Sequence, residues 1–112
     1  MMRVEELLAT IRPLHREDLE RWVEEAWVSP LNEGGTLHFS EMQCARIRLI
    51  CTLRYDWEVE EESVPIILSL LDQLYETRRE LSALAAAVTR QNSEVRDEIL
   101  RAVQMRDDRA GD

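Results

Sequence analysis

From Pro65 to about Asp107 the chain has neither glycine nor a further proline, and apolar side chains return every seven residues at Ile67, Leu74, Leu81, Val88, Val95 and Ala102. Leu70 and Leu84 fill the intermediate sites. A stripe of period 3.5 is the seam of a left-handed coiled coil. The spacing predicts one long helix over residues 63–107, roughly 60 Å at 1.5 Å per residue. Such a helix cannot bury its own stripe. The chain is therefore expected to form a homodimer through a seam of Ile67, Leu70, Leu74, Leu81, Leu84, Val88 and Val95. The intermediate sites weaken to Thr77, Gln91 and Glu98, and the helix could divide in two near Tyr75–Thr77. Residues 108–112 read as a disordered tail.

Residues 1–62 read as a small head. Val4, Leu7, Leu8 and Ile11 recur at helical spacing up to Pro13, which ends a first helix. A second helix runs from Glu17 to Trp27, with Leu19, Trp22, Val23 and Ala26 facing inward, and Pro30 stops it. Leu31–Phe39 reads as a hairpin, because Gly34-Gly35 supplies the positive φ angles of a tight turn and Leu37 and Phe39 alternate inward. Ser40 and Gln43 form a capping box that opens a third helix, through Arg54. Met42, Ala45, Ile47, Leu49, Ile50 and Leu53 spread around most of its circumference, which marks it as the central core helix. An acidic link, Tyr55–Glu62, follows, and Ser63 can cap the long helix with Pro65 in its first turn.

The 112 residues carry 23 acids against 14 bases, a formal charge of −9, and every base is arginine. Such a field favours basic partners and salt-sensitive encounter with them. It disfavours nucleic acid, whose affinity for proteins comes largely from neutralised phosphates. No signal peptide and no membrane-length apolar run is visible, so a cytoplasmic protein is expected. Cys44 and Cys51 lie roughly 10 Å apart along one predicted helix, beyond disulfide reach. They read as small core residues, with a metal-sensing thiolate pair shared between two chains as the alternative. No phosphate loop, metal-ligand cluster or nucleophile elbow occurs, and His15 and His38 have no catalytic setting. Neither catalysis nor a cofactor is expected.

The order of these parts is itself informative. A first helix, an acidic second helix, Trp27-Val28-Ser29-Pro30, the Gly-Gly turn, Ala45-Arg46-Ile47-Arg48-Leu49-Ile50, Leu70-Leu71-Asp72-Gln73-Leu74 and a trailing heptad helix together resemble the chaperone modulatory family CbpM, over roughly Val4–Val88. That family is related to the DNA-binding heads of the MerR regulators. The resemblance implies a mainly α fold: a MerR-like winged helix-turn-helix head with a small β-hairpin wing, followed by a long C-terminal coiled-coil helix. It also implies a non-catalytic adaptor. Such proteins bind and inhibit the J-domain of a DnaJ-like co-chaperone of the CbpA type, which stimulates DnaK through a basic helix.

The alternative is a MerR-type transcriptional regulator, and the sequence departs from it in two places. MerR wings carry an arginine where this chain has Leu37, and the stretch around the second helix, from His15 to Trp27, holds five acids against two arginines. Arg46, Arg48 and Arg54 are expected to pair with nearby acids. The candidate partner-binding residues are Glu17, Glu20 and Glu24 on the second helix, and Trp57, Glu58 and Glu61 in the acidic link, where Glu60 and Glu62 add charge. Each carboxylate could equally be ordinary solvated surface, and Trp57 could equally be a lid on the core.

Overall fold

The computed structural model describes residues 1–110, with side chains to residue 107, and divides the chain into two units, Met1–Leu70 and Leu71–Asp112. The chain is mainly helical, with one small antiparallel sheet. Among the described residues no helix is long and apolar enough to cross a membrane.

The first unit begins with a strand that the sequence did not advertise. β1 (Met2–Arg3) precedes α1 (Val4–Thr10) and pairs with β3 (Thr36–Phe39), Met2 opposite Phe39. β2 (Leu31–Glu33) pairs with the other edge of β3, so the expected hairpin becomes the outer two-thirds of a three-stranded sheet. Gly34 and Gly35 adopt φ of 60° and 84°, the doubly left-handed turn whose twist matches antiparallel strands. The Asn32 carboxamide oxygen accepts from the Gly35 N–H at 3.1 Å and closes the turn.

α2 (Arg16–Glu24) ends three residues earlier than the sequence predicts, and Pro30 is not what stops it. The Trp27 N–H reaches back to the Trp22 carbonyl and the Ala26 N–H to that of Val23, with Ala26 at φ 60°. This is a Schellman stop with its usual apolar contact, because the Trp22 and Trp27 rings stack with centroids 6.4 Å apart. Ala26 is exposed and not inward-facing. A β-carbon in this conformation costs about 1–2 kcal/mol. Ala26→Gly should therefore stabilise the head by about 0.5–1 kcal/mol, read as a higher midpoint in chemical unfolding.

α3 (Glu41–Cys51) is capped as the sequence indicates, with Ser40 Oγ accepting from the Gln43 N–H at 3.2 Å. It buries Cys44, Ile47, Ile50 and Cys51, whereas Met42 and Ala45, expected in the core, are exposed. The helix then widens into a π turn over Thr52–Asp56, a local form frequent near functional sites. Leu7, Leu19, Trp22, Val28, Phe39, Ile47, Ile50, Val64 and Leu68 complete one core. The buried Trp22 Nε1–H finds no acceptor within the described residues.

α4 (Val64–Thr89) is entered through a 3-10 turn, Glu61–Ser63, with Pro65 in its first turn. The helix runs unbroken through Tyr75–Thr77. The long helix instead divides further on, where α4 ends at Thr89 and α5 (Ser93–Ala110) begins. Asn92 makes the break: its Oδ1 accepts from the Val95 N–H at 3.0 Å, an N-cap that starts a new helix. Val95 therefore lies on α5, across this division from the other expected seam residues on α4. The expected disordered tail, 108–112, is helical as far as Ala110, and residues 111 and 112 lie outside the described residues.

Candidate functional site

α2 and β3 frame a cleft in the first unit. Leu19 and Val23 of α2, Leu37 and Phe39 of β3 and Val4 of α1 make its apolar lining, while Glu5, Glu20, Glu24 and Arg16 supply its charges. The volume is about 500 Å³. Leu37 is half-buried there and brings no charge. Three carboxylates and one guanidinium thus surround an apolar lining. The low-dielectric wall also concentrates the field of the carboxylates.

The candidate residues divide among three places. Glu20 and Glu24 line the cleft. Glu17 is exposed on α2 but does not line it. Glu61 is bound within the head, its Oε1 lying 3.0 Å from Arg21 Nε. Glu58 is exposed at a left-handed φ of 51°, next to Trp57, which is 68% exposed. Trp57 is thus not a lid on the core. Glu5 went unnoticed in the sequence, because its place opposite α2 depends on how α1 packs.

Two clamps hold this surface in shape. In the first, Asp18 accepts from the Tyr55 hydroxyl and from Arg21 Nη2 at 3.2 Å, while Arg21 Nε reaches Glu61. Burial, then the bond to Asp18, pushes the Tyr55 hydroxyl pKa far above its ordinary value. His15 and Trp22 both lie against the Tyr55 ring. Tyr55→Phe deletes a hydrogen bond to a charged acceptor. It should cost about 1–2 kcal/mol, reduced from the full charged value because Asp18 is partly solvated. Urea unfolding of the single and double variants with Asp18→Asn would measure the coupling.

The second clamp grips the Trp27-Val28-Ser29-Pro30 corner. Gln43 Oε1 accepts from the Ser29 N–H at 2.8 Å, and Arg46 Nε donates to the Trp27 carbonyl. The sequence reading made Gln43 half of a capping box, but its side chain reaches across to this corner. Arg54 likewise donates to a backbone carbonyl, that of Val59 at 2.6 Å, where pairing with an acid was expected.

Both cysteines are buried and free. Burial raises both thiol pKa values, that of Cys51 to about 11, with Asp18 and Asp56 adding to the shift. Among the described residues no group of three or more His, Cys, Asp or Glu is placed to hold a metal ion. Comparison with known proteins finds no matching family model, no similar curated protein and no similar solved structure.

Proposed function

We propose that this chain is a non-catalytic adaptor whose winged-helix head docks the basic helix of a J-domain, from a DnaJ-like co-chaperone of the CbpA type, and so blocks stimulation of DnaK. The observation that carries the reading is the cleft: apolar at Leu19, Val23, Leu37 and Phe39, and acidic at Glu5, Glu20 and Glu24. A cationic helix with one apolar edge satisfies both features at once, and the −9 charge steers it inward. The resemblance of the Trp27–Pro30 corner and the Leu70–Leu74 stretch to the chaperone modulators supplies the identity of the partner. Two copies pair through the exposed leucines of α4.

Calorimetric titration with a purified J-domain tests the reading. Glu20→Arg with Glu24→Arg should weaken binding by about a hundredfold, roughly 3 kcal/mol, since like charges facing each other cost several kcal/mol at an interface. The same J-domain should stimulate DnaK ATPase less in the presence of the parent chain. Unchanged affinity in the double variant moves the contact off the cleft. Tight, sequence-selective binding to duplex DNA at low salt overturns the adaptor role in favour of a MerR-type regulator.

A further inference from the structure

We infer that Trp57 is a platform for an arginine guanidinium carried by a partner protein, with the indole face taking the cation and flanking carboxylates holding it there. The inference rests on the reading of the head as a receptor for a basic protein surface, and names the group that one part of it recognises. Four observations converge on Trp57.

The ring is 68% exposed, although burying an indole is among the larger apolar gains open to a small head. Among the described residues no aromatic ring stacks on it. Its backbone is nevertheless fixed. The Trp57 N–H donates to the Thr52 carbonyl at 3.0 Å, the Val59 N–H to that of Leu53 at 2.8 Å, and Arg54 Nη1 to that of Val59 at 2.6 Å. The next residue, Glu58, sits at φ 51° without being glycine, so the turn that presents the ring is held against local strain.

The charges select the ligand. Asp56, Glu58 and Glu60 are exposed around Trp57 in sequence, and none lies within ion-pair distance of a described cation. Of the cations in this part of the head, Arg21 is engaged by Asp18 and Glu61 and Arg54 by the Val59 carbonyl, while Arg12 and Arg48 line a cavity with Asp56 and leave Glu58 and Glu60 to face the ring's ligand. A flat ring in a negative field attracts a cation through its quadrupole, and a planar guanidinium can also stack on it. A purely apolar ligand would gain nothing from the carboxylates.

The test uses the full chain and two short amphipathic helical peptides, identical except that one carries arginines where the other carries neutral citrullines. Trp22 and Trp27 are buried, so acrylamide quenching of tryptophan fluorescence reports mainly on Trp57. The arginine peptide should shield Trp57, and the citrulline peptide should bind about tenfold more weakly or worse. In calorimetric titration with the arginine peptide, since the variants lack the reporter ring, Trp57→Phe should retain affinity within about threefold, and Trp57→Leu should lose about tenfold. Unchanged thermal midpoints would show that both variants fold. Equal shielding by the citrulline peptide, or full affinity in Trp57→Leu, overturns the platform. A J-domain that fails to bind while the arginine peptide still shields Trp57 removes the proposed partner and leaves the platform standing. A J-domain that binds Trp57→Leu at full strength does the reverse.

Discussion

Leu74→Glu combined with Leu81→Glu should convert a dimer into a monomer, with the head still folded. Leu70, Leu74, Leu81 and Leu84 are 55–64% exposed on α4 of a single chain. Ile67 and Val88 along the same stripe are half-buried. An apolar row at this spacing is what a partner helix covers. Each leucine buried in a seam contributes about 1.5–3 kcal/mol. Replacing two on each of two chains removes on the order of 6–12 kcal/mol, enough to abolish pairing at any practical concentration. Sedimentation at micromolar concentration reads the result directly. Leu68→Glu is the instructive contrast. Leu68 is 2% exposed and belongs to the head core, so that variant should unfold the head. A parent chain that sediments as a monomer would remove the seam altogether.

Alkaline solution should weaken the head in a window set by Cys51. The thiol is pushed from an ordinary 9.0 to about 11 by burial, with Asp18 and Asp56 reinforcing the shift. The folded state therefore keeps the proton while the unfolded chain releases it. Below about pH 9 both states hold the proton and the group leaves stability unchanged. Between about pH 9 and pH 11 only the unfolded chain ionises, and stability falls by about 2–3 kcal/mol. Tyr55, also raised, extends the loss upward from its ordinary value of 10.0. Urea midpoints across this range should fall less steeply for Cys51→Ala than for the parent. Identical slopes would show that the thiol does not contribute.

Much of the head was legible because the deciding chemistry is local. Gly34-Gly35 dictates its own turn, Ser40 finds its N–H three residues on, and the Leu7, Leu19 and Phe39 positions follow helical or strand alternation. β1 was not legible, since two residues carry no periodicity and acquire a partner only when Phe39 arrives beside them. Ala26 misled in another way. It occupies a conformation that usually announces itself as glycine, so the helix stop was assigned to Pro30. The division at Asn92 was readable from the polar Gln91-Asn92-Ser93 cluster, but the seven-residue stripe continues through it and masked the cap. Of the candidate site, the acids on α2 could be named in advance. Their convergence with Glu5, Leu37 and Phe39 into one cleft could not, because it is a property of packing and of no single segment.

The grip of Gln43 and Arg46 on the Trp27–Ser29 corner bears on binding thermodynamics. It ties the exit of α2 to the first half of α3, next to the hairpin that provides Leu37 and Phe39. A cleft braced in this way has its groups already arranged, so a ligand of the proposed kind would surrender little free energy to ordering them. The proposed complex should accordingly form with little backbone rearrangement, and its lifetime should depend on the fit of the ligand more than on any closing motion of the protein.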